Sequence, residues 1–243
     1  MQGPVNIIVG AAGGVGRALA SELSGRESAG LIVGLARSRP VDWPDDDRHL
    51  FLEADITREA SLEAAADPLK TMGAIRRIVV ATGLLHAPGV TPERSMKSIE
   101  PEALARLFEI NAIGPALIAK HFLPLMSRDG PSVFAALSAR VGSIGDNRLG
   151  GWYGYRASKA ALNMLVATLA VEYRRTHPQG ICVALHPGTV ETKLSAPFRQ
   201  GAATRPARLA PRDAAQALLK VMDGLKPQDT GKFFAWDGAE IPW

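Results

Sequence analysis

Residues 5–23 read VNIIVGAAGGVGRALASEL. A short β-branched run, 5–9, ends at a glycine, and a helical pattern starts within a few residues. That is the signature of a strand turning into a helix. Glycines stand at 10, 14 and 16, at the turn itself. A backbone without Cβ can approach a pyrophosphate closely. The helix N-terminus adds free N–H groups and a positive dipole end. The spacing is G-x-x-x-G-x-G, not the commoner G-x-G-x-x-G. A turn that binds nothing is the alternative, and the position in the first strand–helix unit favours a dinucleotide. Gly10, Gly14, Val15 and Gly16 are the candidate contacts.

Outward from that turn, apolar runs alternate with helical patterns. Strands are expected at 5–9, 31–36, 49–54, 76–81, 132–138, 181–186 and 232–236, and helices near 14–24, 58–72, 100–127, 152–176 and 211–224. The alternation predicts βαβ units and a parallel sheet. Continuous apolar strands such as IRRIVVATG (75–83) and ICVALHPG (181–188) suit a sheet covered on both faces. The fold class is α/β, a Rossmann-type three-layer sandwich with a seven-stranded parallel sheet. Neither an internal repeat nor a low-complexity linker interrupts it, so one domain over 1–243 is expected. The Pro-, Ala- and Arg-rich segment 193–212 reads as a surface excursion.

The chain has 243 residues, enough for a sizeable core, with 47% apolar and 21% charged residues. Its net charge of +4 is spread without a run of five or more like charges, which argues against a nucleic-acid face. One cysteine, Cys182, permits no internal disulfide and sits in an apolar run. No Cys/His cluster has zinc spacing, and no apolar stretch is long enough to span a bilayer. The first residues lack a signal-peptide pattern, so a cytoplasmic protein is the expectation.

The second strand ends LIVGLARSRP (31–40). At this position an acid accepts from the adenosine ribose, whereas an arginine accommodates a 2′-phosphate. Arg37, Ser38 and Arg39 stand there, with no acid before Asp42. A guanidinium binds a phosphate through paired donors. NADP(H) is therefore favoured over NAD(H), with Arg37 and Ser38 as readers; a pair of solvated arginines is the alternative. Asp55, in LEADIT (52–57), either accepts from an adenine amino group or caps the next helix.

GGWYGYRASKAALNML (150–165) holds the chemistry. Tyr155 and Lys159 are four apart, one turn on one helical face. A free phenol has a pKa near about 10, and a nearby ammonium pulls it toward the working range. Tyr153 lies on another face and cannot use that lysine. It reads with Trp152 as a wall of the substrate pocket or as a core aromatic. Such pairs also arise by chance, so the glycine turn gives this one its weight.

The ordered set GAAGGVG, LARS, ADIT, ATG, NAIG, a serine-bearing fifth strand, YRASK and HPGTVET resembles the short-chain dehydrogenase/reductase family over nearly the whole chain. Residues 138–163 and the ending FFAWDGAEIPW (233–243) are similar to its C-factor-like branch, named for a cell-contact signalling protein. The resemblance implies a homodimer or homotetramer and hydride transfer between nicotinamide and a carbonyl or alcohol. It makes Tyr155 the general acid. Lys159 lowers the tyrosine pKa and binds the nicotinamide ribose, and Asn111 holds a relay water. Ile56, Thr82, Gly83, Pro187, Gly188, Val190 and Thr192 fall along the cofactor.

Three departures stand out. Val9 replaces a threonine before the first glycine. The usual Asn-Asn-Ala-Gly after the fourth strand is Val80, Ala81, Thr82, Gly83, so a bracing asparagine is gone and Thr82 is expected to replace it in part. The family's catalytic serine slot holds Ala139, counting back from Gly142. Ser138 is adjacent but period two points it to the opposite face unless the strand end bulges. Ser143 lies just past Gly142. Both stay candidates for holding the substrate oxygen, Ser138 first, and so does the option that neither acts.

Substrate contacts are expected among His86, Arg140, Asp146, Asn147, Arg148, Trp152, Tyr153 and Phe198, with 193–212 as a lid. Arg140 and Arg148 could bind an anion or pair with Asp146. Two functions compete: an NADP(H)-dependent reductase or alcohol dehydrogenase, and a cofactor-binding signalling protein with little turnover.

Overall fold

The computed structural model describes residues 3–198 and 208–243, with the side chain of Phe198 outside that description. Seven parallel strands form one sheet: β1 (Val5–Val9), β2 (Leu31–Ala36), β3 (His49–Glu53), β4 (Ile75–Val80), β5 (Ser132–Leu137), β6 (Gly180–His186) and β7 (Phe233–Ala235). Their order is β3-β2-β1-β4-β5-β6-β7. Each expected strand is present; β1 and β2 keep their expected bounds, and the ends of the others differ by at most one residue.

The helices are α1 (Gly14–Ser24), α2 (Glu59–Ala66), α3 (Pro101–Phe108), α4 (Gly114–Phe122), α5 (Tyr153–Tyr173) and α6 (Pro211–Gly224). They cover both sheet faces. On one, Leu62 of α2, Ile118 and Phe122 of α4, and Leu162 and Val166 of α5 pack with Ile7, Val33, Ile78 and Phe134. On the other, Leu19 and Leu23 of α1 and Leu218, Leu219 and Met222 of α6 pack with Ile8, Ile32, Val79 and Val183. Alternate residues of one strand thus enter two cores, which is why the strands read as unbroken apolar runs. Cys182 is buried among them. Asn6 is the polar exception in β1, and Ala29 O accepts from its side chain at 2.5 Å.

Two expected helices are broken. The 58–72 pattern ends its α-helix at Ala66 and continues as a 3-10 turn, Asp67–Thr71, where Pro68 cannot donate to the ladder. The 100–127 pattern becomes α3, a π-helical turn at Glu109–Ile113, α4 and a 3-10 turn at Leu123–Leu125. Pro115 enters the first turn of α4 and Pro124 the last of these turns. Among the described residues no helix is long and apolar enough to cross a membrane.

Candidate active site

β1 lies between β2 and β4, so the connections leave its carboxyl end in opposite directions. Such a switch point opens a crevice at the strand ends. A cleft of about 370 Å³ lies there, lined by Gly10, Gly13, Arg37, Ser38, Asp55, Ile56, Thr82 and Gly83. Gly10 takes φ +86°, which a side chain rarely tolerates. A Cβ on Gly14 would meet Thr192 Cγ2 at 2.6 Å, and one on Gly16 would meet Gly10 O at 2.3 Å. The loop after β1 is therefore a bare-backbone cradle that touches the loop after β6. Val15 is half-buried beside it, packed against the α1–α6 core.

The three basic residues around the second strand have different fates. Arg17 of α1 pairs with Asp42, and Arg39 pairs with Asp45 at 2.9 Å. Arg37 is exposed on the cleft with no ion pair among the described residues. Asp55 serves its own turn: its Oδ1 accepts from Thr57 N–H at 3.0 Å and from Thr57 Oγ1 at 2.8 Å. Burial opposes its ionisation. The Thr57 hydrogen bonds and the Arg37 and Arg58 charges outweigh that, leaving its pKa below the usual carboxylate value. Asp55 thus closes a local turn ahead of α2 and does not cap that helix, whose N-cap Arg58 has no side-chain cap bond, and Asp55 lines the cleft.

Tyr155 and Lys159 lie on one face of α5, exposed by 8% and 2%. Lys159 Nζ donates to Leu137 O at 2.8 Å. A Cβ on Gly83 would lie 3.7 Å from both Lys159 Nζ and Asn111 Oδ1, so cleft, lysine and asparagine meet at one glycine. The expected drop in the tyrosine pKa is absent. Burial pushes the Tyr155 phenol up to about 12 and pulls Lys159 down to about 7. Each group is driven toward its neutral form, because desolvation in the core exceeds what the lysine charge offers the phenolate.

Asn111 sits in the π turn, fully buried. Its Oδ1 accepts from Leu84 N–H at 2.7 Å, and its Nδ2 donates to Leu84 O at 2.8 Å and Ser158 Oγ at 3.0 Å. The amide thus braces the loop after β4, and both of its donor hydrogens are committed. Thr82 does not replace the missing brace: its Oγ1 is buried without a partner.

The serine question resolves into geometry. Ser138 Oγ donates to Asn163 Oδ1 at 2.6 Å, on the α5 side of the sheet. Asn163 Nδ2 in turn donates to Gly142 O at 3.4 Å. Ser143 Oγ accepts from Asp146 N–H at 3.0 Å and is buried. Ala139 is the residue packed in the small apolar cluster with Tyr155. No bulge rescues Ser138; the strand alternation runs through to its end.

That cluster also holds Leu84, Leu85, Val90, Val141, Trp152 and Leu194. Trp152 meets Tyr155 edge-on, ring centroids 6.2 Å apart. Tyr153 is 40% exposed and stands outside the core. Arg140 pairs with Asp146 at 3.2 Å, and Arg148 donates to Asn147 O. His86 reaches Lys193 O at 3.2 Å. Pro187 and Gly188 follow β6, Gly188 at φ +78°, and Val190 bridges to Leu209. Sequence reasoning missed Glu93. It is 3% exposed, and both its carboxylate oxygens face Gly154 N–H, at 3.1 and 3.2 Å. A lone acid in a loop carries no periodicity, so nothing in the sequence marks it.

A protein-family profile described as short chain dehydrogenase matches residues 4–203. The C-signal protein of Myxococcus xanthus is 40% identical over 141 residues, covering 58% of this chain and 78% of that protein. The 1-hydroxy-2-glutathionyl-2-methyl-3-butene dehydrogenase of Rhodococcus sp. (strain AD45) is 34% identical over 190 residues, 78% of each chain. The NADPH-bound carbonyl reductase from chicken fatty liver superimposes with a TM-score of 0.84 at 24% identity, covering 99% of this chain and 94% of its own. That last likeness concerns the fold; the profile and the two sequence relatives reach further. The chain belongs to the short-chain dehydrogenase/reductase family, on the branch similar to C-signal, and is an NAD(P)-dependent oxidoreductase.

Proposed function

We propose that the protein is an NADP(H)-dependent reductase of small, uncharged carbonyl compounds, with Tyr155 as the general acid. One observation carries this reading: buried Tyr155 and Lys159 share a helical face, and Lys159 Nζ meets Gly83, a wall of the glycine-lined cleft. The loop suits a dinucleotide: Gly10 and Gly13 present bare backbone to the cleft at the N-terminus of α1, while Gly14 and Gly16 allow the close packing on Thr192 and Gly10 that shapes the turn. When bound, the reduced nicotinamide supplies a hydride to the carbonyl carbon. Tyr155, with its pKa near 12, holds its proton at neutral pH and can give it to the forming alkoxide. Lys159, titrating at about 7, is suited to return a proton to the phenolate. The Asn111 amide is committed, and Pro115 has no N–H for the Asn111 carbonyl four residues back. A relay water would therefore be held by that carbonyl. Pro187, Gly188, Val190 and Thr192 would line the nicotinamide.

The apolar surround of Tyr155, with Arg140 and Arg148 engaged elsewhere, favours uncharged substrates. The segment 193–212 would close over them. Leu209, near its far end, donates N–H to Thr189 O at 2.9 Å, and 199–207 lie outside the described residues. Exposed Ile113, Met164 and Val171 support a homo-oligomer, which light scattering on the eluting protein would count. The deciding experiment measures NADPH oxidation with a panel of aldehydes and ketones. Wild type should turn over, and Tyr155→Phe should lose at least about 10²-fold in kcat. A variant with full activity removes Tyr155 from the reaction.

Arg37 carries the cofactor preference. Arg37→Asp should weaken NADPH by more than about tenfold while changing NADH little, since one charged hydrogen-bonded contact is worth about 1.5–3 kcal/mol. Equal loss for both cofactors would take Arg37 out of the phosphate site. The signalling alternative is not favoured; cofactor binding with no turnover of any carbonyl would revive it.

A further inference from the structure

Glu93 is a buried carboxylate that the chemistry above does not use. It lies on the loop between β4 and α3, which packs Leu85 and Val90 against Tyr155. Its backbone oxygen accepts from Trp152 N–H at 2.6 Å, and its carboxylate oxygens face Gly154 N–H at 3.1 and 3.2 Å. Gly154 is the second residue of α5, and its neighbour is Tyr155. The first turn of a helix leaves its N–H groups without intrahelical partners, and a side-chain oxygen from the N-cap residue ordinarily takes the second or third. Here the N-cap is Trp152, which supplies no such bond. Trp152 also sits at φ 52°, ψ 43°, and is the one non-glycine residue with positive φ among the described residues. A bulky residue holds that conformation only where its surroundings fix it. Glu93 supplies both constraints: its main chain pins Trp152, and its side chain caps the helix in the place of Trp152.

The space confirms a close fit. A Cβ on Gly154 would come within 3.0 Å of Glu93 Oε1 and 2.7 Å of Leu107 Cδ1. On the other side Arg156 Nε donates to Gly151 O at 2.9 Å, and its Nη1 to Val141 O at 3.2 Å. The first turn of α5 is gripped from two loops, with Tyr155 between the grips.

We propose that Glu93 is a positioning residue. It caps α5 across the structure, holds Trp152 in its left-handed conformation, and so sets the place of the Tyr155 hydroxyl relative to Lys159 and the substrate. This rests on Tyr155 being the acid. What Glu93 contributes is an acceptor at a fixed reach, so shape matters more than charge.

The test compares Glu93→Gln, Glu93→Asp and Tyr155→Phe with wild type. Gln keeps the length and an acceptor oxygen; Asp keeps the charge but is one methylene short. Amide hydrogen exchange on the cofactor-free proteins reads the cap directly. In Glu93→Asp, amides of the first turn of α5 should exchange at least about tenfold faster while β4 and β5 stay protected, as expected for local opening. In Glu93→Gln they should match wild type. NADPH turnover of the fastest aldehyde in the panel should follow: kcat near wild type for Gln, and down about 10²-fold for Asp, with KM and NADPH affinity little changed and the pH profile of kcat displaced, as for a misplaced catalytic group. Unchanged exchange and kcat in Glu93→Asp would overturn the proposal. So would the reverse order, Asp active and Gln impaired, which would make the charge the essential feature. If Tyr155→Phe keeps full activity, the acid assignment fails whatever Glu93 does, and the exchange data still decide the cap.

Discussion

At the scale of the residue, Ala139 is the most informative position. It occupies the slot beside Tyr155 where a hydroxyl would help hold the substrate oxygen. Ser138, its neighbour, points the other way and bonds Asn163 at 2.6 Å. Alternation along β5 made this legible in the sequence, since adjacent residues of a strand face opposite sides. What the sequence could not show was whether the strand end bulges. Losing one donor to a developing oxyanion costs about 10²–10³ in rate. Ala139→Ser should therefore raise kcat by up to about 10², read from steady-state NADPH oxidation. Ser138→Ala should leave kcat within a few-fold but lower stability by about 1–3 kcal/mol, because Asn163 loses a buried partner. The opposite pattern, no gain at 139 and lost turnover at 138, would return the oxygen-holding role to Ser138.

At the scale of the element, the long pattern at 100–127 shows where sequence reading stops. Apolar periodicity announced a helix, and the helix is there. The π turn at Glu109–Ile113 is set by Pro115, whose missing N–H cannot close the ladder onto Asn111, and by what Asn111 meets in the fold. Only the folded chain shows that its amide grips both backbone groups of Leu84. Asn111 of the motif NAIG thus has a structural task that the motif did not announce: it ties α3 and α4 to the loop that carries Gly83. Asn111→Ala would leave Leu84 N–H and C=O without that partner. A cost of about 3 kcal/mol or more is expected from buried unpaired groups. Urea unfolding should show a lower midpoint with unchanged slope. Asn111→Asp keeps the acceptor for Leu84 N–H and loses the two donors, so its midpoint should fall as well. A variant as stable as wild type would show that Leu84 finds other partners.

At the scale of the molecule, the parallel sheet and its two covering layers followed from alternation, because a sheet apolar on both faces must be covered twice. The electrostatics of the site did not, since they come from depth. Helical spacing put Lys159 beside Tyr155, but only the packing of both against the sheet shows that burial decides their titration. Lys159 titrates near 7 when folded, against about 10.4 for a free lysine. Between those values the unfolded chain binds more protons than the folded one. Stability of the cofactor-free protein should therefore rise with pH from about 7, the Lys159 contribution approaching about 1.4 kcal/mol per pH unit. Below about 7 the lysine is charged in both states, and its burial cost is present in full. Tyr155, Tyr173 and Cys182 act in the other direction at higher pH. Burial raises each to about 12, so the folded chain keeps protons that the unfolded one releases. Lys159→Met separates the two effects, since it keeps the apolar stem and removes the titration. Urea unfolding of both proteins at a series of pH values from about 6 to about 9 should show the stability gap between them close as pH rises. A gap that stays constant across that range would mean that Lys159 keeps its charge in the fold, held by a partner rather than neutralised by burial.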